Sequence, residues 1–215
     1  MKIETYGILI NIKPFSERDA VAHIFTKDSG VLVGMLRGAV SAKKNKPLVG
    51  QIGNVSWNAR LDSQLGVFHW EAEKNLAAPL MFNADLLKIM NSAFALIYTL
   101  IPERESYNEL YEHTVLLLQQ IIDSPDPYNE YLKWEINLLG NLGYGLDLTK
   151  CSGCQKTENL CYLSPKTGRA VCAKCGEPYR DKLYKLPVSL MVTGMFINHI
   201  CNIQGVEVPT ARKIF

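Results

Sequence analysis

The sequence lacks the features that mark secreted, membrane-spanning or disordered proteins. Its longest mostly apolar stretch, Ala93–Ile101, is nine residues long, half of the ~18 residues that a membrane-spanning helix requires. The first residues include Glu4 and lack the run of small residues that precedes a signal-peptide cleavage site. No segment is low in complexity, and 47% of the 215 residues are hydrophobic. We therefore expect a cytoplasmic protein that is folded throughout.

Recognised catalytic motifs are also missing. The sequence contains no G-x-x-x-x-G-K-[ST] phosphate loop, no H-E-x-x-H and no G-x-S-x-G, and its four histidines lack the spacing of metal ligands. Glu71 and Glu73 could in principle bind a catalytic metal, but acidic residues near a strand end are usually only solvated. The sequence predicts a protein that is not an enzyme, with a metal-dependent nuclease as one alternative.

Two pairs of cysteines have the spacing of a metal site. Cys151 and Cys154 form one C-x-x-C motif, Cys172 and Cys175 form another, and seventeen residues separate the two motifs. Each motif turns two thiolates toward one point, and two such turns make the tetrahedral four-sulfur site that suits Zn²⁺. A site closed by four thiolates has no open position, so we expect one structural zinc ion per chain.

Other interpretations of the cysteines are weaker. Disulfides are not expected in a reducing compartment, and a redox C-x-x-C would follow a strand in a βαβ unit. Two unrelated pairs of buried thiols remain an alternative. Cys161 and Cys201 lie outside the pattern and are predicted to be small buried residues. Gly153 and Gly176 are predicted to allow the tight turns at the two motifs.

Charge is distributed unevenly along the chain. Residues 1–80 carry a net charge of +3, residues 81–150 of −6 and residues 151–215 of +5. No acidic residue occurs between Ser29 and Leu61, and a loop rich in basic residues could neutralise a phosphate backbone. The alternative is a solvated lysine loop on an ordinary barrel. The residues predicted to bind DNA are Arg37, Lys43, Lys44, Lys46 and Arg60, with Lys166 and Arg169 (and Lys174 beside them) extending the track.

Aromatic residues for base stacking occur near this basic stretch. Phe15, Trp57, Phe68 and Trp70 are the candidates, because every base offers a flat face to an aromatic ring. The alternation in Val55–Leu61 places Trp57 on the apolar face of a strand. We therefore expect Trp57 in the core, and Phe68 and Trp70 are open to the same interpretation.

The hydrophobic pattern changes from strands to helices near residue 80. Five short strands predict a small closed barrel, with an SH3-like barrel as the alternative. Apolar residues at helical spacing follow. The predicted strands are Tyr6–Ile12, Ala20–Thr26, Val31–Arg37, Val55–Leu61 and Leu65–Glu71, and the predicted helices are Ala84–Leu100, Glu105–Ile122, Tyr128–Asn141 and Pro187–Ile203. These elements divide the chain into a nucleic-acid-binding domain, 1–80, and a helical domain, 81–215, with the cysteine insertion at about 148–180.

Several segments, taken in order, resemble a known family. Gly7-Ile-Leu-Ile, Pro14-Phe-Ser-Glu-Arg-Asp19 and Ile24-Phe-Thr-Lys-Asp-Ser-Gly30 are followed by Arg37-Gly-Ala and the lysines. Lys133-Trp-Glu-Ile-Asn-Leu-Leu-Gly-Asn-Leu-Gly-Tyr144, Asp147-Leu, the first cysteine pair, Tyr162-Leu-Ser-Pro165 and the second pair complete the series. In this order the segments resemble the RecO family of bacterial recombination proteins.

The resemblance implies a fold and a function. The fold is α+β, with an N-terminal OB-fold β-barrel followed by an α-helical domain that carries a zinc-ribbon-like insertion. The implied function is to bind single- and double-stranded DNA, to anneal complementary strands and, with RecR, to help RecA replace single-strand-binding protein. The resemblance also implies a contact with the C-terminal tail of that binding protein. A zinc-containing protein-interaction module without DNA binding is the other alternative.

Overall fold

Residues 1–41, 46–60 and 65–215 are described by the computed structural model. They divide into two units: residues 1–130 with 209–212, and residues 131–208 with 213–215. Lys43 and Lys44, which are among the predicted DNA contacts, lie outside the described residues. Among the described residues, no helix is both long and apolar enough to span a membrane.

Five strands of the first unit close into a barrel in the order β1-β2-β3-β5-β4. All neighbouring strands are antiparallel except β3 and β5, whose parallel pairing sets Leu36 opposite Phe68. This arrangement is the OB-fold predicted from the family resemblance, because an all-antiparallel SH3-like barrel would contain no parallel pair. The strands are β1, Lys2–Pro14; β2, Ala20–Thr26; β3, Gly30–Leu36; β4, Gln51–Asn58; and β5, Gly66–Asn75.

The pairing directions define two ends of the barrel. Since β1, β3 and β5 run one way and β2 and β4 the other, the connections group by end. The upper end contains residues 15–19, 37–41 and 46–50, and the lower end contains residues 27–29 and 59–60. In the pairing register Leu36 lies opposite Phe68 and Phe68 opposite Trp57, so β3 and β4 run in opposite directions from this row toward Arg37 and Arg60.

The barrel core confirms the prediction for Trp57. Trp57 is 3% exposed and packs with Leu9, Ile24 and Leu32. Its indole nitrogen donates a hydrogen bond of 2.8 Å to the Val33 carbonyl, so its polar atom is satisfied inside the barrel. Alternation along β4 therefore reflects burial and not a base-binding surface.

Three helices follow the barrel: α1, Ala84–Leu100; α2, Asn108–Gln120; and α3, Pro127–Asn141. The bounds of α1 agree with the prediction because the Asn83 side chain accepts from the Asp85 and Leu86 amides and starts the helix. α2 begins three residues later than predicted. The Arg104 amide donates to the Val31 carbonyl at 3.0 Å, which holds the preceding loop against β3.

The second unit contains a three-stranded sheet of order β7-β6-β8. Its elements are β6, Leu160–Leu163; β7, Ala170–Cys172; α4, Ala173–Gly176; β8, Tyr184–Lys185; and α5, Leu190–Gln204. α5 begins three residues after the predicted Pro187, because the Leu186 amide donates to the Cys161 carbonyl and holds the lead-in segment on the sheet. The predicted site residues lie on the segment before β6, on the turn between β6 and β7, and on the segment from the end of β7 through α4.

Candidate metal centre and nucleic-acid interface

The four cysteines of the two C-x-x-C motifs form one cluster. The Sγ atoms of Cys151, Cys154, Cys172 and Cys175 all lie within 4.8 Å of one another, and those of Cys154 and Cys172 are 3.7 Å apart. A tetrahedral site with Zn–S bonds of about 2.3 Å requires sulfurs about 3.8 Å apart. The cluster can hold a metal ion, and its dimensions are consistent with zinc.

Backbone hydrogen bonds shape the first cysteine pair and join it to the strand that leads into the second pair. In the first pair the Cys151 amide donates to the Lys156 carbonyl at 2.8 Å, and the Gln155 amide donates to the Cys151 carbonyl at 2.9 Å. The second pair joins the end of β7 to α4. The Ser152 amide donates to the Ala170 carbonyl at 2.9 Å, which brings the two pairs together.

The two glycines of the motifs are required for close packing and not for a left-handed backbone. A Cβ on Gly153 would lie 3.2 Å from the Cys175 sulfur, and one on Gly176 would lie 2.4 Å from the Tyr162 ring. The left-handed position after the first pair is Gln155, with φ of 63°. The prediction that these two positions need a backbone without a Cβ is confirmed, and the reason is the closeness of the Cys175 and Tyr162 side chains.

The environment of the sulfurs favours a bound cation. Backbone N–H groups of Cys172, Cys154 and Gly153 lower the pKa of the Cys151 thiol to about 6. Hydrogen bonding with the sulfurs of Cys172 and Cys154 raises the pKa of Cys175 to about 12. The Cys151 thiol thus ionises readily while the Cys175 thiol resists ionisation, and a divalent cation favours the thiolate form of its ligands.

The remaining two cysteines differ from each other. Cys201 is buried, as predicted, whereas Cys161 is exposed, so the prediction for Cys161 was wrong. Cys161 lies on β6 at a shift in the pairing register with β7, between Leu160 and Tyr162, and such an irregularity changes the direction in which a side chain points. Cys161 lies outside the sulfur cluster and can serve as a control for it.

The acidic residues of β5 form no second metal cluster. Within the described ranges, the four cysteines are the only group of three or more His, Cys, Asp or Glu residues close enough to hold a metal ion. Glu73 accepts hydrogen bonds from the Tyr6 hydroxyl at 2.8 Å and the Asn54 side chain at 2.7 Å, and Glu71 lies 3.1 Å from the His69 ring nitrogen. These contacts occupy both carboxylates on the barrel surface.

The predicted basic residues of the barrel lie at two different ends. Arg37 and Lys46 are exposed at the upper end, one on each side of the connection between β3 and β4. Arg60 is exposed at the lower end, after β4. The topology therefore brings Arg37 and Lys46 to one rim and separates Arg60 from them.

One basic residue at the upper end is not among the predicted DNA contacts. Arg18 is exposed in the turn between β1 and β2. The Val40 amide donates to the Arg18 carbonyl at 2.9 Å, and the Gly38 amide donates to the Asp19 carboxylate at 2.8 Å, so this turn holds the start of the basic loop. The pairing of β2 with β1 and β3 places Arg18 beside the basic loop, and no local sequence pattern indicates it. We call the exposed residues Arg18, Arg37 and Lys46 the basic rim.

Family models of known proteins match two parts of this chain. The family model described as "Recombination protein O N terminal" matches residues 1–72, and the one described as "Recombination protein O C terminal" matches residues 82–198. The chain belongs to the RecO family. RecO is a family of DNA repair and recombination proteins, and the predicted resemblance is confirmed.

Individual relatives agree with the family models. The protein named DNA repair protein RecO from Rhizobium rhizogenes is 31% identical, over 100% of this chain and 90% of the relative. That of Rhodopseudomonas palustris is 37% identical over 86% of this chain and 74% of the relative. That of Rickettsia typhi is 36% identical over 89% of this chain and 80% of the relative. The similarity to RecO proteins thus includes both the barrel and the cysteine region.

Of the four aromatic residues considered for stacking, one is freely accessible on this RecO chain. Phe68 is 5% exposed and packs in the core with Trp57, and Trp70 is half-buried against the same core. Phe15 is 65% exposed in the turn that carries Arg18. A base that contacts the basic rim would therefore meet Phe15 and not the tryptophans.

The basic residues of the RecO cysteine region are exposed as well. Lys166 and Arg169 lie on the turn between β6 and β7, and Lys174 lies on α4 between the cysteines of the second pair. The Ser164 amide donates to the Arg169 carbonyl at 2.9 Å and closes that turn. The hairpin that presents Lys166 and Arg169 thus ends at Cys172, one of the clustered cysteines.

Proposed function

We propose that this chain is a non-catalytic mediator of DNA repair and recombination that works by binding DNA. In this proposal it binds single- and double-stranded DNA, anneals complementary strands and, with RecR, helps to load RecA onto DNA coated by single-strand-binding protein. The observation that carries the proposal is the basic rim at one end of an OB-fold barrel. Family membership across both parts of the chain supports it.

The proposed DNA contacts are electrostatic and independent of sequence. Each phosphate that a lysine or arginine neutralises releases condensed counterions, so affinity falls as salt rises. We propose residues 1–80 as the main DNA-binding domain and residues 81–215, with the insertion at about 148–180, as the helical domain. The proposed contacts are Arg37, Lys43, Lys44, Lys46 and Arg60 in the first and Lys166 and Arg169 in the second.

Annealing would follow from binding two strands at once. Two complementary strands repel each other through their phosphates, and basic residues that bind both of them reduce this repulsion. The acidic stretch 81–150, with a net charge of −6, would repel DNA. DNA contacts are therefore proposed for the two basic ends of the chain.

Zinc is the metal proposed for the cysteine cluster. The ligands are Cys151, Cys154, Cys172 and Cys175, whose soft sulfurs and spacing suit Zn²⁺. When bound, the ion stabilises a region with little hydrophobic core of its own and leaves no open position for catalysis. The role of these residues is to hold the β6–β7 hairpin in place.

The first test is binding of fluorescently labelled single and double strands, measured by anisotropy over a range of salt concentrations. We expect tight binding with a steep fall as salt rises, and one zinc ion per chain in the same sample. Absence of binding at low salt would contradict the proposal and favour a zinc-containing protein-interaction module.

The proposed protein partners need a separate test. RecR and the C-terminal tail of single-strand-binding protein can each be titrated against the labelled chain. Binding of both, together with faster RecA loading in their presence, is the expected result. Loading that is the same with and without this chain would contradict the mediator role while leaving DNA binding intact.

A further inference from the structure

The second unit contains a cleft of about 630 Å³ that the proposed function does not use. This volume lies within the range of roughly 300–1,000 Å³ found for ligand pockets. Four aromatic or imidazole rings line it, and they come from three separate segments: Tyr144 follows α3, Tyr184 lies on β8, and Phe196 and His199 lie on α5. We call this pocket the aromatic cleft.

The rings of the aromatic cleft are arranged in two edge-to-face pairs. Tyr144 and His199 have centroids 6.4 Å apart at 89°, and Tyr184 and Phe196 have centroids 5.8 Å apart at 82°. In an edge-to-face pair, one ring contacts its partner only through its edge. The partner therefore covers neither face of that ring. Phe196 is buried while Tyr144, Tyr184 and His199 are at least partly exposed. Three rings of the cleft are therefore accessible, at least in part, to a flat ligand.

The rest of the lining carries one basic side chain and three glycines. It consists of Pro165, Lys166, Thr167 and Gly168 of the β6–β7 turn, with Gly143, Gly145 and Met195. Among the residues that the structure describes, none of those that line the cleft is acidic. Lys166 is exposed there, and Arg169 is exposed one residue beyond the lining turn. A flat ligand joined to an anion fits this combination.

We propose that the aromatic cleft receives an unpaired base of a single DNA strand, while Lys166 holds the neighbouring phosphate. The inference rests on the proposed DNA-binding function and adds to it a means of selecting single strands. Stacking tolerates any base, because every base has a flat face. Bases in a duplex are paired and stacked already, so this cleft favours a single strand over a duplex.

The test compares three labelled DNAs of equal length: an oligo-dT strand, a strand of abasic sites and a duplex. Replacing both Tyr144 and His199 by Ala removes one ring pair and leaves every lysine and arginine in place. Loss of stacking on one base lowers affinity for oligo-dT about tenfold, while affinity for the abasic strand and the duplex stays unchanged. Met191→Ala is the matched control, because Met191 is 65% exposed on α5 and is not among the residues that line the cleft.

Each other outcome overturns the inference. Equal losses for all three DNAs would show a general structural effect, and unchanged affinity for oligo-dT would assign the cleft to another ligand. A wild-type chain that binds none of the three DNAs would contradict the proposed function itself. If the double variant does not fold, photocrosslinking of the wild type to a strand containing 5-iodo-deoxyuridine decides. Crosslinks to Tyr144, Tyr184 or His199 are expected, and crosslinks confined to the barrel would overturn the inference.

Discussion

Thr193 donates a hydrogen bond of 2.5 Å to the carboxyl group of Glu135, and both residues are 0% exposed. The contact joins α5 to α3 inside the second unit. Burial of a carboxyl group is costly unless hydrogen bonds compensate for the lost water. This pair is therefore an internal link on which the position of α5 depends.

Replacing Thr193 by Val keeps the shape of the side chain but removes the donor. We expect the free energy of unfolding to fall by about 1–3 kcal/mol, because the buried carboxyl loses one of its hydrogen bonds. Urea denaturation measures the effect. Thr193→Ser retains the hydroxyl and should lose less stability than the Val variant. Equal losses in the two variants would assign the effect to packing alone.

Metal binding should depend on Cys172 and not on Cys161. Cys172→Ser removes one of the four clustered sulfurs, and we expect zinc content to fall and thermal stability with it. Cys161→Ser is the control, since Cys161 is an exposed cysteine outside the cluster, and should retain one zinc per chain. A full zinc content in the Cys172 variant would rule out the four-thiolate site.

The two ends of the barrel should contribute differently to DNA binding. Arg37→Glu reverses a charge on the basic rim, and Arg60→Glu makes the same change at the lower end of the barrel. We expect the Arg37 variant to bind a labelled single strand more weakly, with a salt dependence reduced by about one phosphate contact.

The Arg60 variant serves as the matched comparison. A small effect of Arg60→Glu would confine the proposed DNA path to the upper end. An equal effect in both variants would require DNA to run along the barrel wall from one end to the other. No effect in either variant would contradict the role of the barrel.

Stability should fall in mildly acidic solution through His23. Burial, and then the charge of Lys13, lower the pKa of His23 below its usual value, and its ring packs edge-on against Tyr98 and lies 3.4 Å from the Asn11 amide. In the unfolded chain His23 titrates near ~6.5, so below that pH the unfolded state binds more protons than the folded state. The free energy of unfolding therefore decreases as pH falls from about 6.5.

His23→Gln isolates this effect. Between the pKa of His23 in the unfolded chain and its lower pKa in the folded chain, the unfolding free energy of the variant should change less with pH than that of the wild type. Denaturation at several pH values measures this difference. His69→Gln is the control, because His69 is exposed on β5. Identical pH profiles for wild type and His23→Gln would contradict the assignment.

Local pattern was sufficient for most of the secondary structure and for the cysteine site. The predicted bounds of β2 and α1 agree with the structure, because alternation over Ala20–Thr26 and the Asn83 cap are local signals. β1 is longer than predicted, because Lys2–Thr5 pairs with β4. The residues of Lys2–Thr5 show no local strand pattern that could have indicated this pairing. The exposure of Cys161 likewise depends on the sheet to which β6 belongs.

The spacing of the cysteine pairs, the order of strands and helices, and the family were all predictable from the sequence alone. These depend on residues that are near one another in the chain. The grouping of Arg18 with Arg37 and Lys46, and the position of Arg60 at the other end of the barrel, became visible in the folded structure. The same holds for the rings from α5, β8 and the segment after α3, which meet in one cleft. Such groupings depend on strand pairing and packing between distant segments, and no local pattern encodes them.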